Sequence, residues 1–320
     1  MTSLSDDEPI RSSPSFPTVV LADVILRSSD DVEFRMCKGM LAQASPVFAE
    51  TIARLSASDA EKGVDERVDD LPMIPVAEPA ADLELLLHFC LPRAPPDISD
   101  LSCAVRLLES AKKYRVEWAL DCARAAFVQL AEDEPIRAYA IACRLNLEDE
   151  AREAARLCLR IPLATLIDSE VEEIGDIGAK AFKRLLVYRQ TCASVVVGRI
   201  ASWAWVDALC IAAPDTKWLW FSDGCCDKMP VNRTDYTGRR EVCKKWWDTY
   251  MKGVAEKLRS CTWEGAVSSR DGLQHFLRSK NCYLCRAGAA EHIDQFTENL
   301  RAEIAAQIST IPYVFDPSLP

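Results

Sequence analysis

The sequence predicts an α+β domain at the N-terminus followed by an all-α helical region. Residues 18–97 alternate between β-rich runs and helical patterns, which is typical of a compact α+β unit. From residue 98 to about Arg160 the apolar residues follow the helical period without a strand-like interruption. With 49% hydrophobic residues among 320, the chain is long enough to bury substantial cores.

We divide the chain into four segments. Residues 1–17, "MTSLSDDEPIRSSPSFP", are polar, acidic and rich in Ser and Pro, and we expect them to form a disordered tail. Residues 18–97 form the α+β core and residues 98–165 form stacked helical hairpins. Residues 166–320 form a mostly helical domain rich in Trp and Cys, and we expect its boundary between Arg160 and Asp176.

The α+β core begins with a hairpin and two helices. "TVVLADVILRS" and "VEFRMC" are β-rich runs separated by the polar turn "SDD". "CKGMLAQASPVFAETIARL" then changes to helical period, and Ser45 and Pro46 open a second helix. The residues that share one helical face are Met40, Leu41, Ala44, Phe48 and Ile52.

The rest of the core continues with a loop, a strand and a helix. The charged and small residues of "SASDAEKGVDERVDD" predict a solvated loop, and "LPMIPV" predicts a short strand. "EPAADLELLLHFCLP" predicts a helix that ends at the Pro-rich "LPRAPPD". Its inward residues are Leu83, Leu86, Leu87 and Cys90.

The helical segment contains a weak internal repeat. "AKKYRVEWALDCARAAF" and "ACRLNLEDEAREAARLC" superpose so that each copy contains the end of one helix, a short turn and the start of the next. The matched positions are Ala111 with Ala142, Tyr114 with Leu145, and Val116 with Leu147. Two such copies predict antiparallel helical hairpins stacked as in a short solenoid.

The opening of the α+β core resembles a BTB/POZ domain. "ADVILRSSDDVEFRMCKGMLAQASPVF" carries the residues of that pattern, with Cys37 in the place of the usual His, and "LPMIPVAEPAADLELLLHFCLP" resembles the later strand and helix. The residues that carry the resemblance, and that form the BTB motif and its expected interface, are Asp23, Val24, Phe34, Cys37, Lys38, Leu41, Ser45 and Phe48. The whole chain is similar to BTB proteins of mushroom-forming fungi.

The resemblance implies a role for several of these residues. Asp23 would hold backbone or Lys38 at the junction of hairpin and helix, the alternative being a surface carboxylate. Ser45 would cap the helix that Pro46 begins. Cys37 would pack as the usual His does, although an adjacent Lys lowers a thiol pKa and leaves a reactive thiol as the alternative. The core or dimer-face candidates are Leu41, Phe48, Leu86, Leu87 and Phe89.

The resemblance also implies partners. It predicts a protein-interaction scaffold without catalysis of its own, acting as a homodimer through its BTB domain. The first alternative is a substrate adaptor of a cullin ubiquitin ligase. Such adaptors carry an apolar-x-Glu motif, whose expected place here is occupied by Ser56, Ala57 and Ser58 and departs from it, and Val64–Glu66 fits only if the loop carries an insertion. The second is a nuclear, transcription-associated cofactor that does not bind DNA directly.

The net charge, the cysteines and the longest apolar run limit the partners and the cellular compartment that we expect. A net charge of −11 opposes phosphate binding and therefore nucleic acid as a direct partner. Because the tail lacks the features of a signal peptide, we expect a cytoplasmic or nuclear chain whose 14 cysteines are reduced and mostly buried. Arg199 and Asp207 interrupt the longest apolar run, which predicts a buried or amphipathic helix and no membrane span.

Metal binding and catalysis have few candidate residues. Cys282 and Cys285 have the spacing of a zinc-binding pair, but without a matched second pair we expect buried thiols, with structural zinc or a redox pair as alternatives. The sequence contains no phosphate-binding glycine loop, "HExxH" or Gly-x-Ser-x-Gly motif. His88, His275 and His292 are its histidines, and none lies in a recognisable catalytic pattern.

Overall fold

The chain folds into two units that separate between Asp133 and Glu134. We describe each unit by itself, from a computed structural model. The structure describes residues 11–12, 16, 21–58, 67–68, 71–202, 205–206, 218–221, 226–234, 240–279 and 288–315. The α+β unit followed by a largely helical one agrees with the predicted order of fold classes.

The first unit contains a mixed sheet with the strand order β1-β3-β2-β5-β4. The strands are β1 (Arg11–Ser12), β2 (Val24–Arg27), β3 (Val32–Met36), β4 (Arg67–Val68) and β5 (Leu71–Pro75). β2 and β3 form the predicted antiparallel hairpin, and β5 lies parallel to β2. Ser28 closes the hairpin turn, because its hydroxyl accepts the Val32 N–H at 3.0 Å. β1 pairs with β3 and belongs to the segment predicted as a disordered tail.

Five helices complete the described part of the first unit. They are α1 (Lys38–Ala44), α2 (Pro46–Ser58), α3 (Ala80–His88), α4 (Leu101–Tyr114) and α5 (Glu117–Leu130). The predicted inward positions of α3 are buried, and so are the strand residues that alternate toward the same side. The centre of this core consists of Val24, Leu26, Phe34, Leu41, Phe48, Leu83, Leu86 and Leu87.

The internal repeat corresponds to two helical turns of the same geometry. Arg115 after α4 and Asn146 after α6 (Pro135–Arg144) both have a left-handed φ of 53°. In each copy the following residue donates its N–H to a carbonyl in the last turn, Val116 to Ala111 and Leu147 to Ala142. α4 therefore turns into α5 as α6 turns into α7 (Glu148–Leu157), so each copy of the repeat has the expected sequence of helix, turn and helix.

The two hairpins belong to different units. The division falls between them, inside residues 98–165, whereas the sequence analysis placed its last boundary after Arg160. Packing of the second hairpin explains the difference. The Tyr139 hydroxyl of α6 donates to the Ala181 carbonyl and lies 2.7 Å from the Tyr313 hydroxyl, so the hairpin shares a core with later parts of the chain.

The second unit is mostly helical but not entirely so. Further helices among its described residues are α8 (Leu163–Ile167), α9 (Ala179–Ser202), α10 (Lys245–Ser260), α11 (Ser269–Ser279) and α12 (Ala289–Ser309). β6 (Lys228–Thr234) and β7 (Arg240–Lys244) form an antiparallel pair, so the prediction of an all-α region was wrong here. β6 contains a proline and β7 has three charged residues among five, and both features weaken the composition signal of a strand.

α9 contains the first part of the longest apolar run, residues 193–202, and most of the rest of that run lies outside the described residues. Most buried positions of α9 are three or four residues apart, so the described part of the run belongs to an amphipathic helix. Within the described ranges, no helix has both the length and the apolar character needed to span a membrane.

Tryptophans form the centre of the second unit. Trp220 and Trp247 stack with ring centroids 3.9 Å apart and an interplanar angle of 6°. Phe296 of α12 packs edge-on against Trp247 at 4.4 Å. Trp205, Trp218 and Trp246 are also buried around this stack. The Trp-rich composition of this region therefore reflects a packed aromatic core.

Candidate functional site

The resemblance residues at the junction of β3 and α1 make one specific backbone contact. The exposed Asp23 accepts the Lys38 N–H on its Oδ1 at 2.6 Å, which is the contact that the sequence analysis assigned to this carboxylate. Asp23 in turn donates its own N–H to the Met36 carbonyl at 3.0 Å. The side chain thus fixes the place where the strand becomes a helix, because the first N–H groups of a helix have no partner inside it.

Ser45 connects two helices of the first unit. Its buried hydroxyl accepts the Phe48 N–H at 3.1 Å, which is an N-cap for α2, and it donates to the Tyr114 carbonyl at the end of α4. The Phe48 and Tyr114 rings stack with centroids 4.6 Å apart. Tyr114 also donates its hydroxyl to Glu78, which pairs with Lys113. Sequence reasoning missed Glu78 and Tyr114, because nothing local links residues so far apart.

Most of the other resemblance residues lie inside the unit. Four of them are each at most 1% exposed, so their side chains pack in the core of this unit. They are Val24, Phe34, Leu41 and Phe48. The sequence did not decide whether Leu86, Leu87 and Phe89 belong to the core or to a dimer face. In the structure these three side chains are also buried. Cys37 and Lys38 are half-buried. Residues 64–66, one position considered for a cullin motif, lie outside the described residues.

The three histidines have separate structural environments. His88 lies against Phe16, and burial lowers the pKa of its imidazole, which disfavours the charged form. His292 accepts the Leu219 N–H on Nδ1 at 3.0 Å and packs edge-on against Trp218. His275 packs against the ring of Tyr250. His292 therefore has a clear structural role, since it holds the backbone beside the tryptophan stack.

The described cysteines with shifted pKa values are poor nucleophiles. Burial raises the pKa of Cys90 and Cys158 to about 12, and that of Cys192 and Cys243 to about 11. Because the thiolate is the reactive form, these thiols are inert near neutral pH. Cys282 and Cys285 lie outside the described residues. Within those residues, no group of three or more His, Cys, Asp or Glu side chains has a geometry that would hold a metal ion.

An open groove of about 680 Å³ lies along α9 in the second unit. Leu163 and Ile167 of α8 line it, and they are 41% and 57% exposed. α9 contributes a series of apolar side chains at helical spacing. These are Leu186, Ala193 and Val197. The groove is therefore mainly apolar and accessible from solvent.

Arg189 lies in the wall of this groove and is only 6% exposed. Its Nη2 donates to the Ile161 carbonyl at 2.6 Å and to the Ser260 carbonyl at 3.2 Å, and its Nη1 donates to the Cys158 carbonyl. Burial lowers the pKa of the guanidinium. Sequence reasoning missed Arg189, although its signal was present. It is a cation at a position of α9 where apolar residues recur, four residues after the buried Leu185.

Comparison with models of known protein families gives no match, and comparison with curated proteins gives no match either.

Proposed function

We propose that the chain is a protein-interaction scaffold whose first unit self-associates as BTB domains do, without catalysis of its own. The observation that carries the proposal is the convergence of the resemblance residues in one α+β unit. Asp23 fixes the entry to α1, Ser45 caps α2, and the apolar members of the pattern share a core. These contacts give most residues of the pattern a structural reason, which supports a BTB-like scaffold.

Leu21 supports a partner surface beside β2. It is 86% exposed, the largest exposed fraction among the large apolar side chains that the structure describes. Its φ of 69° lies in the left-handed region, which is unfavourable for a residue with a branched side chain. An exposed apolar side chain on a strained backbone is explained if a second copy of the chain covers it, since burial of its surface offsets the strain.

Gel filtration with light scattering, over dilutions from micromolar to nanomolar, tests self-association. We expect a particle of twice the 35.7 kDa chain mass at the higher concentrations. Leu21→Asp should shift the particle to the monomer, because a carboxylate loses its hydration in an apolar interface. Val128→Asp is the matched control, since Val128 is 40% exposed on α5 of the same unit, and it should leave the dimer intact.

A monomer at every concentration would contradict the proposal, and an equal effect of both variants would remove Leu21 from the interface. Circular dichroism of each variant separates dissociation from unfolding. Affinity purification with an added cullin tests the alternative of a ligase adaptor. Retention of the cullin by the dimer would favour that alternative over a scaffold with no ligase link.

A further inference from the structure

The groove along α9 combines apolar walls with one buried cation. Arg189 lies in a lining that contains aliphatic residues together with the polar Gln190, Ser194 and Thr262. Among the described residues no carboxylate forms an ion pair with it. A guanidinium has five N–H groups, and the three carbonyl contacts use three of them. Two N–H groups of a nearly buried cation therefore have no partner among the described residues.

The charge of the groove favours an anionic ligand. Its lining includes Arg189 and Arg259 and no Asp or Glu, although the whole chain has a net charge of −11. Arg259 already pairs with Glu256, so Arg189 carries the uncompensated charge. The carbonyls of Cys158, Ile161 and Ser260 satisfy hydrogen bonds but carry no net charge. A carboxylate supplies both a counter-charge and charge-assisted hydrogen bonds.

The shape of the groove favours a peptide over a lipid chain. From Leu186 to Val197 the helix rises by about 17 Å, at about 1.5 Å per residue. That length matches about three helical turns or five extended residues of a partner. The exposed Leu163 and Ile167 leave one side open to water. An acyl chain would stay partly wetted there, whereas an amphipathic peptide directs its polar face outward.

We propose that this groove binds an apolar segment of a partner protein through one Asp or Glu side chain that pairs with Arg189. Aliphatic side chains of the segment would pack between α8 and α9, and the carboxylate would accept hydrogen bonds from the two remaining N–H groups. This site belongs to the second unit and does not depend on self-association of the first.

Selection of displayed random peptides on the full-length chain tests the proposal. The enriched peptides should combine several apolar residues with one acidic residue. Fluorescence anisotropy then measures each peptide and its copy with the acid replaced by the amide. We expect the amide copy to bind roughly tenfold more weakly, because hydrogen bonds to a charged group are the stronger class.

Variants of the groove give the second measurement. Ile167→Glu should weaken binding by roughly tenfold or more, because it removes an apolar contact and repels the acidic peptide. Leu277→Glu is the matched control, since Leu277 is 53% exposed on α11 and does not line the groove, and it should leave the affinity unchanged. Arg189→Gln removes the charge directly, with circular dichroism to check folding because Arg189 also binds three carbonyls.

Three results would overturn the proposal. They are the absence of any enriched peptide, enriched peptides that contain no acidic residue, and acidic peptides that bind Ile167→Glu and wild type equally. A fourth result would also overturn the proposal. If palmitate displaces the bound peptides at a lower concentration than unlabelled peptide does, the groove binds an acyl ligand.

Discussion

The two units stabilise their backbones by different means. In the first unit, short polar side chains bind free N–H groups close to them in sequence, as Ser45 and Asp100 do for α2 and α4. In the second, large side chains join distant parts of the chain, as Arg189 and Trp247 do. Each cap contributes about 1 kcal/mol, whereas loss of a buried aromatic costs about 3–5 kcal/mol. Loss of a tryptophan from the stack should therefore cost more than loss of a helix cap.

The largest effect should come from Trp247→Ala. Trp247 is fully buried, stacks on Trp220 and contacts Phe296, so its removal leaves a cavity that these rigid rings fill poorly. We expect the free energy of unfolding to fall by about 3–5 kcal/mol. Urea unfolding followed by circular dichroism measures it. Leu277→Ala, at an exposed position of the same unit, should change it by less than about 0.5 kcal/mol.

This variant tests the comparison directly. A loss below about 1 kcal/mol for Trp247→Ala would mean that the tryptophan stack contributes no more than a helix cap. The contrast between a unit stabilised by few large side chains and one stabilised by many local contacts would then be wrong.

Ser45→Ala should have the next largest effect, and it falls in the first unit. The variant loses the cap of α2 and leaves the buried Tyr114 carbonyl without its side-chain donor. We expect a loss of about 2 kcal/mol, the sum of a cap and an unsatisfied carbonyl. Ser110→Ala is the control, because the Ser110 hydroxyl donates to the Arg106 carbonyl of its own helix, and it should cost less than about 0.5 kcal/mol.

A loss of only about 1 kcal/mol for Ser45→Ala, the value of a cap alone, would show that the link from α2 to α4 adds nothing to the cap. A loss equal to that of Ser110→Ala would show that neither the cap nor the link contributes. A loss as large as that of Trp247→Ala would show that the first unit also depends on single residues. Each of these results would change the comparison between the units.

The sequence predicted the first unit better than the second because its signals are local. The turn "SDD", the Ser-Pro helix start and the inward leucines of α3 all act within a few residues. The repeat of α4 and α6 was visible for the same reason, since each turn depends on one left-handed residue. Arg199 within the long apolar run indicated a buried or amphipathic helix, and residues 193–202 of that run lie in the amphipathic α9.

The missed features depend on residues far apart in the chain. Tyr139 meets Tyr313, and His292 holds Leu219, through contacts that no spacing rule encodes. The β6–β7 pair was missed because the proline of β6 and the charged residues of β7 weaken the composition signal of a strand. The groove required α8 and α9 to be packed before its walls existed, although the buried Arg189 was a readable exception within an apolar face.

The smallest effect we predict sharpens the role of local capping in the first unit. Asp100 is the N-cap of α4, and its Oδ1 accepts the Cys103 N–H at 2.9 Å. That hydrogen bond to the charged form lowers the pKa of the Asp100 carboxyl below its usual value. Asp100→Ala should cost about 1 kcal/mol near neutral pH.

The pH dependence of this effect has a definite sign. A lowered pKa in the folded state stabilises the protein above the unfolded pKa, and that stability is lost as pH falls through the folded value. The difference between wild type and Asp100→Ala should therefore shrink in acid, below the ordinary range of an aspartate. Urea unfolding at neutral and at acid pH measures it, with Asp97→Ala as an exposed control outside the helix. A difference that stays constant with pH would mean that hydrogen bonding to the uncharged carboxyl is as strong, and that the charge of the cap contributes nothing to α4.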